Sequence, residues 1–233
     1  MFISDVLLCL FCFALSSSAL RIRPSEEMRP SEEISSSACS DLQLVFLVGA
    51  TETRRPGNVG GPLSKALALA VPGTTTYSVP YDNRFRFKTS LLKGAAMTVD
   101  YLILQAARCP EQCFVIGGYS KGSLIIHSMN LPPYLKAQVV AIVVFGDPLH
   151  GVTPSWPITS PVVNLDPRFG FKSGENVASF CNKYDVVCRR RGLNILAHWI
   201  YGKEKSIDAA VRFIKTRFEE SRKAPNLGEA EAV

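Results

Sequence analysis

The sequence predicts an α/β protein built around a parallel sheet of about five strands. Short apolar segments alternate along the chain with segments of helical periodicity, as in strands joined by crossover helices. The segment Val139–Phe145 (VVAIVVF) is apolar on both faces, which is typical of a strand covered by helices on both sides. At Gly118–Gly122 a predicted strand passes into a predicted helix through a glycine-flanked turn.

Each element follows from its own local pattern. Strands are predicted at Leu42–Gly49, Thr74–Val79, Phe114–Gly118, Val139–Phe145 and Val177–Phe180, most clearly at Val139–Phe145. Helices are predicted at Pro62–Val71, Ser90–Arg108, Lys121–Asn130 and Ile207–Phe218, and Ser90–Arg108 shows apolar residues at three- and four-residue steps. We expect Pro132 and Pro133 to end the third helix, because proline cannot continue an α-helical hydrogen-bond ladder.

The two ends of the chain differ in composition from the centre. Residues 1–19 combine the ten-residue apolar run VLLCLFCFAL with small residues after it, which predicts a signal peptide and a secreted protein. The segment before the run carries Asp5 and no Lys or Arg, so an uncleaved anchor is the alternative. Residues 20–38 contain a tandem RPSEE repeat and predict a disordered linker or pro-segment. The folded domain is predicted at 39–222, followed by a flexible tail at 223–233.

Composition excludes several classes of function. Five cysteines lie outside the predicted signal peptide, which suggests two disulfides and one free thiol in an oxidising compartment. They lack paired CxxC spacing, so we expect no metal site. The net charge of +6 is not concentrated in basic runs with interleaved aromatic residues, so nucleic-acid binding is not expected. The sequence gives no indication of a cofactor.

Ser120 is the candidate nucleophile. Gly118-Tyr-Ser-Lys-Gly122 fits the pattern G-x-S-x-G, and a strand precedes it while a helix follows. This is the nucleophile elbow of α/β-hydrolases, where small neighbours allow the serine to occupy a strained turn. The alternative is an inert surface serine in a tight turn.

A serine hydroxyl requires a base and an acid that orients the base. The sequence has only three histidines, and His127 lies on the helix that follows the serine, where packing is its expected role. His198 with Asp185 is preferred, because Asp185 lies in a short loop bracketed by cysteines that would hold a carboxylate rigidly. His150 with Asp147 is the alternative pairing.

Taken together, these residues resemble the cutinase family of α/β-hydrolases from about Cys39 to His198. The matching motifs are listed here in chain order: Thr51-Glu-Thr53 with Gly57-Asn58, Cys109-Pro110, Gly118–Gly122, Phe145-Gly-Asp-Pro148, Ser179-Phe-Cys-Asn182, Asp185 with Cys188, and His198 with Tyr201-Gly202. The resemblance implies a compact hydrolase without a large lid. It also implies Ser120, Asp185 and His198 as the triad, and disulfides Cys39–Cys109 and Cys181–Cys188.

The resemblance further implies an oxyanion hole formed by the backbone N–H groups of Ala50 and Lys121. Two residues depart from the family pattern: Ala50 replaces a serine whose hydroxyl helps to bind the oxyanion, and Lys121 replaces a glutamine. These departures predict weak activity, or electrostatic compensation by Lys121, although a solvent-facing lysine is equally compatible with the sequence. Cys113 is left unpaired, or competes with Cys109 for Cys39.

The predicted function is therefore ester hydrolysis by a secreted, monomeric serine esterase that uses no cofactor. Cutin-like polyester or short-to-medium-chain lipid esters are the expected substrates. Val79-Pro-Tyr81 and Leu193–Leu196 are candidate walls for an acyl chain, and Arg189–Arg191 is a candidate contact for anionic surfaces. The alternatives are an acetylxylan-type carbohydrate esterase and a catalytically weakened surface-binding protein.

Overall fold

The computed structural model describes residues 39–152, 156–157, 163–164, 176–189 and 191–223. The predicted signal peptide (1–19), the linker (20–38) and the predicted tail beyond its first residue lie outside the described residues. Lys223, assigned to that tail, is instead the last residue of the final helix.

Among the described residues, six parallel strands form one sheet in the order β2-β1-β3-β4-β6-β5. Their bounds are β1 (Leu42–Leu47), β2 (Thr75–Ser78), β3 (Cys113–Tyr119), β4 (Val139–Phe145), β5 (Val163–Asn164) and β6 (Val177–Phe180). All five predicted strands are present, with bounds that agree to within two residues. The prediction missed β5, because two residues are too few to show an apolar pattern.

The described helices are α1 (Gly57–Ala70), α2 (Phe87–Arg108), α3 (Lys121–His127), α4 (Pro133–Gln138), α5 (Ile195–Trp199) and α6 (Glu204–Lys223). The helix predicted over Lys121–Asn130 ends earlier, at His127. Pro133, which was expected only to end this helix, is also the first residue of α4. The N–H that proline lacks costs nothing at that position, because the first N–H groups of a helix have no partner within it. The short α5, which contains His198, was not predicted.

Helices cover both faces of the sheet. A side chain at Gly117 would meet Phe46, which also packs against Gly60 of α1, whereas a side chain at Gly118 would meet Ile126 of α3. Adjacent residues of a strand face opposite sides, so α1 and α3 lie on opposite faces. Every residue of β1 and β4 is buried accordingly. This layered arrangement is the predicted α/β fold.

Two disulfides tie loops to this framework. Cys39–Cys109 joins the residues before β1 to the end of α2, with a Cα–Cα distance of 5.7 Å. Cys181–Cys188 closes the loop after β6, with a Cα–Cα distance of 5.8 Å. Cys113 carries a free thiol whose pKa is raised by burial. In the part of the chain that the structure describes, no helix has both the length and the apolar character needed to cross a membrane.

Candidate active site

Ser120 lies in the turn between β3 and α3 with a positive φ of 50° and a ψ of −112°. A non-glycine residue adopts such a backbone only when its surroundings hold it there. The glycines at both sides make the turn sterically possible: a Cβ on Gly122 would lie 2.1 Å from the carbonyl oxygen of Leu47, and one on Gly118 would lie 2.9 Å from the backbone of Gly122. The Ser120 N–H donates to the carbonyl of Phe145 at 2.9 Å, which anchors the turn to β4.

A continuous hydrogen-bonded chain links Ser120 to a buried carboxylate. The Nε2 atom of His198 lies 2.9 Å from the Ser120 hydroxyl oxygen. Its Nδ1 atom lies 2.9 Å from Oδ2 of Asp185. The imidazole is 5% exposed and the carboxylate is fully buried, so water does not compete for either contact. The structure therefore brings the three predicted residues together with the nucleophile at one end and the carboxylate at the other.

Hydrogen bonds stabilise the ionised form of Asp185. Burial alone would raise the pKa of this carboxyl group, but donors from His198, Tyr201 and the N–H of Val187 outweigh burial and lower it. The Val187 N–H lies 2.7 Å from Oδ1. A carboxylate that stays charged near neutral pH is suited to holding an imidazole in one tautomer.

Tyr201 is a supporting residue to which the sequence analysis assigned no role. Its hydroxyl donates to Oδ2 of Asp185 at 2.5 Å and accepts the N–H of Asn182 at 2.8 Å. Burial, followed by the hydrogen bond to the carboxylate, raises the pKa of Tyr201, so it remains a donor. The available signal was its spacing of three residues from His198, which places residues on one side of a helical turn.

The two remaining histidines have other partners. Nε2 of His127 lies 2.8 Å from Oδ2 of Asp147, and its ring packs 4.1 Å from that of Trp156. Nδ1 of His150 lies 2.8 Å from the hydroxyl of Ser179. The Asp147 carboxylate thus contacts the ring of His127, while His150 meets Asp147 only through its backbone N–H among the described contacts.

The loop after β1 carries Ala50 and is held by one carboxylate. Glu52 accepts the N–H of Gly49 through one oxygen and the N–H of Asn58 through the other, both at 2.6 Å. Asn83 adds side-chain hydrogen bonds to the carbonyls of Gly49 and Glu52 at 3.1 and 2.7 Å. Within the described part of the chain, no hydrogen bond uses the N–H of Ala50. Glu52 therefore shapes a loop whose free donor borders the site.

Lys121 does not face solvent, so the alternative prediction of a solvent-facing lysine is wrong. It is 1% exposed, and its ammonium group donates to the carbonyl oxygens of Asp82, at 3.1 Å, and Arg84. It also lies 5.6 Å and 5.3 Å from the ring centroids of Tyr81 and Phe87. Burial lowers the pKa of Lys121. The side chain thus fastens the 82–87 segment to the start of α3.

A hollow of about 620 Å³ lies next to the serine turn. Its lining residues are Ala50, Thr51, Glu52, Thr53, Arg54, Asn58, Tyr119 and Trp199. Two residues predicted to form walls for an acyl chain, Val79 and Tyr81, are buried in the core. The prediction is therefore wrong for these two side chains. Leu193, Ile195 and Leu196 are exposed, with Leu193 at 94%. Among the described residues, no group of three His, Cys, Asp or Glu side chains is placed to bind a metal.

Comparison with known proteins identifies the family. The cutinase family model matches residues 38–218. A cutinase from Botryotinia fuckeliana is 29% identical over 205 residues, covering 85% of this chain and 93% of that protein. A cutinase from Monilinia fructicola is 30% identical over 192 residues, covering 80% and 87%. The catalytic core domain of the acetyl xylan esterase from Trichoderma reesei has the same fold, with a TM-score of 0.62, 20% identity, and coverage of 77% of this chain and 99% of that one. The chain belongs to the cutinase family of carboxylic ester hydrolases.

Proposed function

We propose that this protein is a secreted serine esterase in which Ser120, His198 and Asp185 form the catalytic triad. The proposal rests on one observation above all: the unbroken hydrogen-bonded chain from the Ser120 hydroxyl through His198 to Asp185. The positive φ of Ser120 adds support, because it is the conformation of a nucleophile at a strand-to-helix elbow.

The reaction proceeds through an acyl-enzyme. His198 removes the hydroxyl proton as Ser120 Oγ attacks the ester carbonyl, and Asp185 stabilises the imidazolium that forms. The tetrahedral intermediate collapses when His198 delivers that proton to the departing alkoxide, which leaves as the alcohol. Water then attacks the acyl-enzyme with His198 again as base, and the acid is released with Ser120 regenerated.

The oxyanion is held by the backbone N–H groups of Ala50 and Lys121. Within the described residues neither N–H donates to a backbone carbonyl outside its own element. Lys121 is the first residue of α3, where N–H groups have no acceptor inside the helix, so both donors are available to a substrate. Ala50 follows β1 and Lys121 follows β3, and these strands are paired neighbours that end at the same edge of the sheet. The Lys121 ammonium is bound to two loop carbonyls instead. It supports the site by position, and we infer that charge compensation is not its role.

The proposed substrates are apolar esters presented by a polymer or a lipid surface, such as a cutin-like polyester. Leu193, Leu196 and Trp199 flank the triad histidine and are 94%, 59% and 61% exposed. Apolar side chains at that place match an acyl chain better than the hydrated backbone of an acetylated xylan. They disfavour the carbohydrate esterase, although the acetyl xylan esterase shares the fold.

The test is hydrolysis of a p-nitrophenyl ester series of increasing chain length. Ser120→Ala should lower kcat by roughly 10⁴-fold or more, as expected for loss of a nucleophile. Ser128→Ala is the matched control, since the hydroxyl of this exposed serine hydrogen-bonds only to the carbonyl of Leu124 within the described chain. An organophosphonate should label the wild type at Ser120. Hydrolysis that survives in Ser120→Ala, or a wild type that resists labelling, would contradict the proposal.

Secretion is supported by the two disulfides, which persist in oxidising compartments. The test is the N-terminus of protein collected from the medium, which should lie close after Ala19. Protein that retains Met1 and stays with the cells would contradict secretion.

Tributyrin and acetylated xylan, assayed side by side, distinguish the lipid-like substrate from the carbohydrate. If the intact protein hydrolyses neither and yet adsorbs to a polyester film, it is a surface-binding protein.

A further inference from the structure

A hollow of about 470 Å³ on the disulfide-closed loop is lined by Lys183, Tyr184, Arg189 and Arg191. We call it the basic hollow. All three cationic residues are exposed, and in the described part of the chain no salt bridge joins any of them to a carboxylate. Three cations without acidic partners around one concavity favour an anionic group such as a phosphate. The triad chemistry does not use this hollow.

The residues that follow the basic hollow in the sequence form an apolar surface. We call it the apolar rim, and it consists of Leu193, Ile195, Leu196, Trp199 and Ile200. Within α5 the pattern divides sharply, since Ala197 and His198 are buried while their neighbours face solvent. A cluster of five large apolar side chains, each at least 42% exposed, is unusual for a surface that contacts only water.

The hollow and the rim form one rigid face. The N–H of Asn194, which sits within the rim, donates to the carbonyl of Tyr184 at 3.0 Å. Asp185 and Asn194 also pair as a parallel β-bridge. The Arg189 N–H donates to the Asp185 carbonyl at 3.0 Å, so the same residue that supports the imidazole positions one of the cations. The disulfide Cys181–Cys188 closes this loop.

The segment that carries both features is rich in positive charge. Residues 181–203 contain the cations Lys183, Arg189–Arg191 and Lys203, and their only acidic residue is Asp185. The Asp185 side chain is fully buried against His198, so it does not offset the cations at the surface. Exposed apolar side chains next in sequence to cations that form no salt bridge within the described residues match a lipid surface that carries anionic head groups.

We propose that the basic hollow and the apolar rim together dock the enzyme on anionic lipid surfaces. The hollow holds a head-group phosphate while the rim inserts between acyl chains, and this presents lipid esters to Ser120. The inference deepens the proposed function and rests on it for its catalytic consequence. The binding itself does not depend on catalysis, so the two can fail separately.

The test is sedimentation of the full protein with vesicles of phosphatidylcholine alone and of phosphatidylcholine mixed equally with phosphatidylglycerol. The wild type should bind the mixed vesicles far more tightly, and salt should weaken that binding. Each Lys or Arg near an anionic membrane contributes roughly a fivefold gain in affinity. The triple variant Lys183→Gln, Arg189→Gln, Arg191→Gln should therefore lose about a hundredfold in affinity for the mixed vesicles.

The matched control removes the same charge from exposed positions on other elements. The variant Lys65→Gln, Lys93→Gln, Arg212→Gln changes α1, α2 and α6 and should bind within a few-fold of wild type. Leu193→Ser should weaken binding to both vesicle types, because it removes an inserted side chain. Both charge variants should keep the wild-type rate on a soluble short-chain p-nitrophenyl ester, which shows that fold and triad are intact. Leu193→Ser, whose side chain also faces the proposed substrate, is checked for folding by its thermal melt instead.

Several outcomes would overturn the docking proposal. Equal binding of the two vesicle types would remove the role of anionic head groups, and an equal loss in the control variant would reduce the effect to net charge. Binding of inorganic phosphate as tightly as vesicles, with no effect of Leu193→Ser, would indicate an isolated anion site. Adsorption to a carboxylate-bearing polyester but not to vesicles would assign the face to a polymer. Vesicle binding by a wild type that hydrolyses no ester would refute the proposed function and leave docking standing.

Discussion

Tyr201→Phe tests how Asp185, the carboxylate of the proposed triad, is held. The substitution deletes one oxygen atom and keeps the ring, which packs against Phe145 at 6.1 Å and against Tyr119 at 6.1 Å between centroids. No cavity is created, so the effect comes from hydrogen bonds alone. Asp185 loses a donor at 2.5 Å, and the N–H of Asn182 loses its acceptor at 2.8 Å.

The expected loss of stability follows from these two contacts. A hydrogen bond to a charged group contributes about 1.5–3 kcal/mol, and a backbone donor left without a partner costs about 1 kcal/mol or more. We expect the free energy of unfolding to fall by about 3 kcal/mol in total at neutral pH, which lowers Tm by roughly 6–12 °C for a domain of this size. Because Asp185 positions His198, kcat/KM should also fall about tenfold, equivalent to about 1.4 kcal/mol of transition-state stabilisation.

The pH dependence gives the sign of the effect. The pKa of Asp185 is lowered in the folded protein, so its ionisation stabilises the fold above the unfolded value near pH 4. That stability is lost as the pH falls through the lower folded value. Tyr201→Phe removes one of the donors that lower the pKa of Asp185, so the stability difference from wild type should shrink in acid.

Urea unfolding at several pH values and a parallel thermal melt measure this prediction. Tyr134→Phe is the control, because that residue is 58% exposed and no hydrogen bond of its hydroxyl is present in the described chain. A Tyr201→Phe variant that melts within about 2 °C of wild type would refute the reasoning, since by the conversion above it would mean a loss of less than about 1 kcal/mol. So would a stability difference independent of pH.

The remaining predictions concern Glu52, which holds the loop that carries Ala50, and the buried Lys121. Glu52→Gln should lower kcat about 10–100-fold with little change in KM, because an amide cannot accept both the Gly49 and the Asn58 N–H groups. An unchanged kcat in steady-state assays would argue against the role of Glu52 in holding this loop. Lys121→Met should destabilise by about 1–3 kcal/mol in urea, because two loop carbonyls lose their donor, yet hydrolysis of short esters should persist within a few-fold. A loss in kcat of about 100-fold or more would show that the lysine charge stabilises the oxyanion.

The sequence was sufficient for features that local patterns encode. The apolar run of β4, the glycines around Ser120 and the spacing of helical residues predicted the layered fold, since each depends on neighbours in the chain. Asp185 and His198 were selected because only three histidines exist and because paired cysteines bracket the acid. The structure brings both to Ser120, although their catalytic role stays a prediction.

Tertiary structure alone decided the contacts between residues distant in sequence. That Lys121 turns inward follows from carbonyls supplied by the 82–87 segment, and that Asp147 meets His127 follows from the end of α3 lying next to the loop after β4. The exposure of Trp199 and Ile200 in the apolar rim likewise has no local signature, because an amphipathic pattern does not specify which face another element will cover. Periodicity determines which way a side chain points from its own backbone, and only the completed fold determines what it meets there.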